Sequence, residues 1–159
     1  MSDFDYFHLR KPAYHQDELL NVLELLPREI LDKTVLHSHF DLASEFELLG
    51  IATAENRTAE SQQKVVSYSA HSIDEIRSLD ENPIYVFLSP IYDSISKEGY
   101  ESKFDLYELE KSLLSIDKKV IALGGIDEQK IRRCEEIGFA GVAMLGSVWE
   151  PLLNPAEWV

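Results

Sequence analysis

The chain has 159 residues, of which 45% are hydrophobic, which suffices for one domain with a single core and excludes both two ordinary domains and a disordered chain. No apolar run approaches the roughly 18 residues that cross a bilayer, and the acidic N-terminus lacks the basic start and apolar stretch of a signal peptide. A formal net charge of −14 argues against nucleic acid and anionic membranes as general partners.

These bounds predict one soluble, cytoplasmic domain over residues 1–159. Short, mostly apolar strands alternate with helical patterns along the chain. In chain order the predicted elements are strand 4–9, helix 17–26, strand 34–38, helix 41–49, strand 51–54, strand 64–68, a helix that opens at residue 72, strand 83–88, helix 106–114, strand 119–123, helix 127–137 and strand 141–145.

Local signals support several of these boundaries. Pro12 follows the first strand and would not extend a ladder. Gly50 is predicted to end the helix over 41–49, since glycine readily adopts the conformation that terminates helices. Ser72 and Glu75 predict a capping box at the start of the following helix. The single Cys134 lies in a helical pattern and is interpreted as an ordinary helix thiol.

Strands separated by helices and short connections predict an α/β fold with a parallel sheet. A doubly wound sheet and a TIM-type β/α barrel both fit this alternation. The barrel is favoured because candidate ligand groups follow at least five strands, as expected when all strand C-termini face one mouth. Seven strands are visible where a barrel has eight.

Three consecutive predicted strand ends carry groups that suit a phosphorylated ligand. The strand over 83–88 leads to the hydroxyls of Ser94 and Ser96 and to the ammonium of Lys97. The next strand leads to the bare backbone of Gly124 and Gly125, ahead of a helix whose positive end favours an oxyanion. The last strand leads to a third such segment, residues 146–147. The alternatives are a plain strand-to-helix turn at the glycines and a solvated loop lysine.

His71 and Arg10 also follow predicted strands. His71 is a candidate acid or base, because imidazoles as a class can exchange protons in catalysis; the alternative is that its ring caps a helix or satisfies a carbonyl. The guanidinium of Arg10 suits bidentate recognition of a phosphate, or else it forms an ion pair. His37 and His39 alternate with Ser38 at another strand end, which would place an imidazole in the mouth.

Taken together, the segments His8 to Lys11, 67–72, 89–97, the Gly124–Gly125 turn and 141–147 resemble the thiamine phosphate synthase family, which includes the TenI-like thiazole tautomerases. The resemblance runs in order over nearly the whole chain. It implies a TIM barrel that binds a thiazole phosphate at its mouth. In the synthase, that ligand is joined to an aminopyrimidine diphosphate with release of diphosphate.

The resemblance also implies roles for individual residues. Arg10 is matched to a diphosphate contact, and Ser69, followed by His71, to the serine-rich strand end. The implied phosphate-binding residues are Ser69, Ser94, Ser96, Lys97, Gly124, Gly125, Gly146 and Ser147. Relative to the family, the opening strand and helix have no counterpart before residue 3, so the barrel is expected to lack its first βα unit and to associate as a homo-oligomer.

One departure bears on magnesium. The synthases hold Mg²⁺ with an acidic residue after each of two neighbouring strands, and here those positions are Ser38 and Arg57. Glu55 is the nearest carboxylate in sequence to Arg57. Because Mg²⁺ needs hard oxygen ligands, we assign no metal ligands and expect Mg²⁺ only if synthase activity is retained. Three functions stay open: thiamine phosphate synthesis, a metal-independent thiazole tautomerase that uses His71, and a noncatalytic phosphate-binding barrel or truncated family member.

Overall fold

The computed structural model describes residues 4–53, 63–80, 82–93, 102 and 104–147. The strands in these residues are β1 (Phe7–Leu9), β2 (Thr34–Leu36), β3 (Gly50–Thr53), β4 (Val65–Ala70), β5 (Tyr85–Leu88), β6 (Val120–Leu123) and β7 (Gly141–Ala143). The helices are α1 (Gln16–Leu25), α2 (Arg28–Leu31), α3 (Asp41–Glu45), α4 (Ile73–Ser78), α5 (Leu106–Leu113) and α6 (Glu128–Ile137).

The strands follow one another in chain order, from β1 to β7. The pairs β1–β2, β2–β3, β3–β4, β5–β6 and β6–β7 are all parallel. Helices connect most of the strands, as parallel neighbours require. The predicted α/β class with a parallel sheet is therefore confirmed.

The chain divides into two compact units, an N-terminal unit (Met1–Tyr68) and a C-terminal unit (Ser69–Val159). In the N-terminal unit, α1 packs its Leu19 and Leu23, one turn apart, into an apolar cluster under β1, β2 and β3. Burial of such side chains contributes roughly 1.5–3 kcal/mol each before conformational entropy is subtracted. The buried members of the cluster are Leu9, Leu19, Leu23, Leu31, Leu36, Leu42, Ala43 and Ile51.

In the C-terminal unit, side-chain caps fix where the helices begin. The Ser72 hydroxyl accepts the Glu75 amide at α4, and Asp105 and Asp127 cap α5 and α6 in the same way. The buried aliphatic residues of this unit include Ile76, Val86, Leu88, Ile91, Leu109, Val120, Ile126 and Ile137. These caps fix the starts of the helices that follow β4, β5 and β6.

The prediction for Gly50 is wrong. Helix α3 already ends at Glu45, and Gly50 is the first residue of β3, with φ of 149°. A Cβ at this position would overlap the carbonyl oxygen of Lys64 and lie 2.7 Å from Cγ2 of Val66. Glycine is therefore required by the close approach of β3 to β4, and not by a helix terminus.

Other boundaries shift by a few residues. Strand β4 continues to Ala70, so that Ser69 lies within the strand and not after it. The short helix α2 was not predicted. No helix in the described part of the chain combines the length and the apolar character that crossing a lipid bilayer requires.

Candidate functional site

In the N-terminal unit, two histidines from neighbouring parallel strands form a hydrogen-bonded pair. His8 lies on β1 opposite Val35 of β2. His37 directly follows β2 and lies two residues after Val35, which places both rings on one face of the sheet. The distance between Nδ1 of His8 and Nε2 of His37 is 2.8 Å. One of these two nitrogens carries the hydrogen and the other accepts it.

Both imidazoles of this pair are held in the neutral form. Burial and the neighbouring His37 lower the pKa of His8 from 6.5 to about 3. Burial and the charge of Arg10 lower the pKa of His37 from 6.5 to about 4. The end of β1 and β2 therefore presents neutral hydrogen-bonding groups beside one guanidinium at neutral pH.

The third histidine of this region also has an intrachain partner. His39 has φ of 51°, and its Nε2 lies 3.0 Å from the carbonyl oxygen of Tyr14, to which it donates. This bond ties the segment after β2 to the segment after β1. Arg10, which directly follows β1, is exposed. The structure thus brings His37, His39 and Arg10 to the same end of these two strands.

Ser38, between the two histidines, does not fit a magnesium centre. It offers a single neutral hydroxyl, whereas Mg²⁺ prefers charged oxygen ligands in octahedral geometry. The adjacent imidazoles of His37 and His39 are engaged with His8 and with the Tyr14 carbonyl. Among the described residues there is no group of three histidine, cysteine or acidic side chains placed to hold a metal ion.

In the C-terminal unit, His71 directly follows β4, and its ring contacts the segment after β5. Its Nδ1 lies 3.0 Å from the carbonyl oxygen of Ser89. Because a carbonyl oxygen only accepts, Nδ1 carries the hydrogen, and Nε2 of the neutral ring is left as the acceptor. The backbone amide of His71 donates to the Glu75 carboxylate, 2.6 Å away. The Ser72 half of the predicted capping box is therefore present, whereas the Glu75 carboxylate bonds the residue before the N-cap.

The Gly124–Gly125 turn after β6 packs directly on the segment after β5. The amides of Ile91 and Tyr92 donate to the carbonyls of Leu123 and Gly124 at 3.0 and 3.1 Å. Both glycines have positive φ, 94° and 62°. A Cβ at Gly124 would lie 2.8 Å from Cα of Pro90, so this approach requires glycine independently of any ligand.

The segment after β7 adjoins the same turn. The hydroxyl of Ser147 donates to the carbonyl oxygen of Ile126 at 2.8 Å, and Ile126 directly follows Gly125. The predicted halves of the phosphate site, at the ends of β6 and β7, are therefore neighbours in the structure. Gly146 and Ser147 already have helical conformation.

The start of α6, next to this turn, carries an ion pair. Asp127 accepts the Lys130 amide at 3.1 Å through Oδ1, and its Oδ2 lies 2.6 Å from the Lys130 ammonium. The hydrogen bond from the Lys130 side chain holds the pKa of Asp127 below its ordinary value. The same ammonium donates to the Gly125 carbonyl at 2.8 Å.

Within the C-terminal unit, the segments that follow β4, β5, β6 and β7 are successive neighbours. They carry His71, the Gly124–Gly125 turn and the Gly146–Ser147 segment. Ser69 lies inside β4 and is half-buried. Five predicted site residues lie outside the described residues: Glu55, Arg57, Ser94, Ser96 and Lys97.

Two side chains with a place in these networks were missed by sequence reasoning. His8 belongs to the segment His8 to Lys11, which follows the family pattern. Its partner His37 lies 29 residues away, and the pairing can be recognised only once the register of β1 and β2 is known. From the sequence alone, Lys130 is an ordinary lysine on the surface of the helix over 127–137. Its spacing of three residues from Asp127 is the signal that would have linked the two.

The chain matches the model of a known protein family over most of its length. The family model described as thiamine monophosphate synthase matches residues 7–148. The chain belongs to the thiamine monophosphate synthase family. The resemblance drawn from the sequence motifs is thereby confirmed.

Curated relatives within the thiamine monophosphate synthase family are distant in sequence. The thiamine-phosphate synthase of Limosilactobacillus reuteri is 22% identical over 125 residues, which cover 73% of this chain and 58% of that protein. The thiamine-phosphate synthase of Chlamydia abortus is 25% identical over 131 residues, which cover 80% of this chain and 56% of that protein. The chain thus spans little more than half the length of these relatives.

Solved structures agree with the family. The thiamine phosphate pyrophosphorylase from Bacteroides thetaiotaomicron is similar with a TM-score of 0.78 and 34% identity, over 91% of this chain and 71% of that one. The thiamine phosphate pyrophosphorylase from Pyrococcus furiosus, 16% identical, has a TM-score of 0.73 over 91% of this chain and 74% of that one, and supports the fold alone. The fold is the TIM-type β/α fold, here with seven parallel strands in the described residues.

Proposed function

We propose that this protein binds thiazole phosphate at the strand ends of its C-terminal unit, in a thiamine-related role in the cytoplasm. The observation that carries the proposal is the 2.8 Å hydrogen bond from the Ser147 hydroxyl to the Ile126 carbonyl. It joins the two glycine-containing strand ends, and backbone amides of two adjoining loops are the groups that cradle phosphates in α/β folds. Ser94, Ser96 and Lys97 belong to the proposed site through the family motif.

The coupling of thiazole phosphate to an aminopyrimidine diphosphate is the wider form of this proposal. Arg10 is its candidate diphosphate contact, because an exposed guanidinium at a strand end suits bidentate phosphate recognition. Ser38 opposes it, since a neutral hydroxyl at this position does not fit the magnesium centre that assists departure of diphosphate. Phosphate binding in the C-terminal unit depends on neither residue.

The test is calorimetric titration of the purified protein with thiazole phosphate, with and without Mg²⁺, followed by the aminopyrimidine diphosphate. We expect binding in both conditions. Formation of thiamine phosphate in the second step would extend the proposal to synthesis, whereas binding without product would restrict it to the tautomerase or noncatalytic form. No binding of thiazole phosphate in either condition would contradict the proposal.

A pair of serine variants ties this titration to the proposed site. Ser147→Ala removes the bond to Ile126, which joins the two strand ends. We expect the affinity for thiazole phosphate to fall roughly fivefold, which corresponds to the loss of about 1 kcal/mol for one hydrogen bond. Ser115→Ala is the matched control, since its hydroxyl also donates to a backbone carbonyl at 2.8 Å, but at the end of α5. Equal affinities of the two variants would place the ligand elsewhere.

A second candidate function, a metal-independent thiazole tautomerase, rests on His71. The bond from Nδ1 to the Ser89 carbonyl fixes the tautomer in which Nε2 is the proton acceptor. Such a nitrogen can take a proton from one carbon of a thiazole carboxylate phosphate and return it to another. The same bond is also what a purely structural histidine would form.

His71→Asn separates these two roles. The asparagine amide retains a donor for the Ser89 carbonyl but has no group equivalent to the basic Nε2. We expect the variant to bind thiazole phosphate like the wild type and to lose tautomerisation of the carboxylate phosphate, followed by NMR. A wild-type tautomerisation rate in His71→Asn would remove this candidate function. His15→Asn, at an exposed position before α1, is the control.

A further inference from the structure

Lys130 joins three segments around the glycine turn through one ammonium group. Its Nζ donates to the Gly125 carbonyl at 2.8 Å and to Oδ2 of Asp127 at 2.6 Å. It also lies 5.3 Å from the centroid of the Tyr92 ring, in the segment after β5. The lysine therefore contacts the turn after β6, the first residue before α6 and the segment that packs on that turn.

Tyr92 is itself anchored where Lys130 contacts it. Its amide donates to the Gly124 carbonyl at 3.1 Å, and a Cβ on Gly125 would lie 2.8 Å from its carbonyl oxygen. Burial raises the pKa of the Tyr92 phenol, which lies beside the buried thiol of Cys134 on α6. A displacement of the Lys130 ammonium would therefore disturb both the glycine turn and the Tyr92 segment that packs on it.

Lys130 also sets the charge at the start of α6. Asp127 caps the helix with a carboxylate, and the Lys130 side chain holds its pKa below the ordinary value, so the group is ionised at neutral pH. A carboxylate at this place competes with an anionic ligand for the positive end of the helix. The ammonium at 2.6 Å neutralises that carboxylate.

The ion pair of Lys111 with Glu108 on α5 shows what is particular to Lys130. It has the same spacing of three residues, and its ammonium lies 3.9 Å from the Tyr107 ring centroid. Its side chains are 52% and 66% exposed, whereas those of Lys130 and Asp127 are 31% and 32% exposed. Only the Lys130 ammonium, of these two, also donates to the carbonyl of a strand-end turn.

We propose that Lys130 is a positioning residue for phosphate binding: it holds the Gly124–Gly125 turn against the segment after β5 and cancels the charge of Asp127. The inference rests on the proposed function and adds a specificity element to the same site. It accounts for phosphate binding at a helix start that carries its own carboxylate cap. It also predicts that the lysine matters for the phosphorylated ligand and little for the unphosphorylated one.

The test measures the affinities of thiazole phosphate and of the unphosphorylated thiazole alcohol for a set of variants. Lys130→Met removes the charge, Lys130→Arg retains it, and Lys111→Met is the matched control. The double variant Asp127→Asn/Lys130→Met removes both charges while asparagine keeps the helix cap. Circular dichroism and thermal unfolding establish that each variant is folded.

We expect Lys130→Met to bind thiazole phosphate about tenfold more weakly and the alcohol within about twofold of the wild type. Lys130→Arg and the double variant should each recover part of the loss, and Lys111→Met should bind like the wild type. Unchanged phosphate affinity in Lys130→Met, or an equal loss for both ligands, would overturn the inference while the proposed function stands. A wild type that fails to bind thiazole phosphate would overturn both.

Discussion

Nδ1 of His8 lies 2.8 Å from Nε2 of His37, so two parallel strands of the N-terminal unit are joined by an imidazole pair as well as by their backbones. Burial is the main cause that lowers both pKa values, to about 3 and about 4. A pair of this kind is neutral in the folded protein under conditions in which the unfolded chain already binds protons. Its contribution to stability therefore depends on pH.

We predict that the free energy of unfolding falls as the pH drops below 6.5. The unfolded histidines bind protons below the ordinary pKa of 6.5, while the folded pair stays neutral down to about 4 and about 3. The stabilisation is present above pH 6.5 and is lost through this window, by about 1–2 kcal/mol for each imidazole between pH 7 and pH 5. Urea denaturation at the two pH values measures the difference.

A double variant isolates the pair in that experiment. His8→Gln/His37→Asn replaces both titrating rings by amides, and we expect it to lose much less stability than the wild type between pH 7 and pH 5. His15→Gln, which changes an exposed histidine, should follow the wild type. The same pH dependence in the double variant and in the wild type would show that other groups dominate.

A second prediction concerns the stability of the glycine turn in the candidate site. Gly125 and Gly138 both have positive φ, 62° and 100°, and alanine at either position costs about 1–2 kcal/mol in backbone strain. A Cβ on Gly125 would also overlap the Asp93 carbonyl oxygen, whereas nothing lies within 4 Å of a Cβ on Gly138. We expect Gly125→Ala to destabilise the protein by about 2 kcal/mol more than Gly138→Ala in urea denaturation. Equal losses of unfolding free energy in the two variants would mean that the turn shifts to accommodate the added methyl group.

Helix α1 offers a matched pair for the core of the N-terminal unit. Leu23 is fully buried in the apolar cluster, whereas Leu25, two residues later, is 85% exposed. We expect Leu23→Ala to cost about 3 kcal/mol through lost burial and a residual cavity, and Leu25→Ala to cost less than about 0.5 kcal/mol. Thermal and urea unfolding both measure this contrast. A small cost at Leu23 would indicate that the cluster adds little to stability.

The features that follow from local physics were predictable from the sequence. Alternation of apolar strands and helices is written in the periodicity of the chain, and the parallel pairing follows from it. The cap of α4 by Ser72 needs only residues within one helical turn. Gly124, Gly125 and Ser147 were assigned to the candidate site because glycine-containing segments follow apolar strands. Their contacts with neighbouring segments are observed, while their role in phosphate binding stays a prediction.

The features that depend on contacts between distant residues were not predictable. Gly50 satisfies the local pattern of a helix terminus, yet the contact with Lys64 of the neighbouring chain segment decides its role. The pairing of His8 with His37 requires the register of β1 and β2. Lys130 acquires its role only because the turn after β6 places the Gly125 carbonyl within hydrogen-bonding distance.

The most direct test of the proposed phosphate site is an NMR titration of the ¹⁵N-labelled protein with thiazole phosphate, following the backbone amides of its glycines. We predict that the signals of Gly124, Gly125 and Gly146 shift as the ligand is added. The signals of Gly50 and Gly138, which lie in β3 and at the end of α6, should stay in place. Unmoved signals for Gly124, Gly125 and Gly146 at saturating ligand would contradict it.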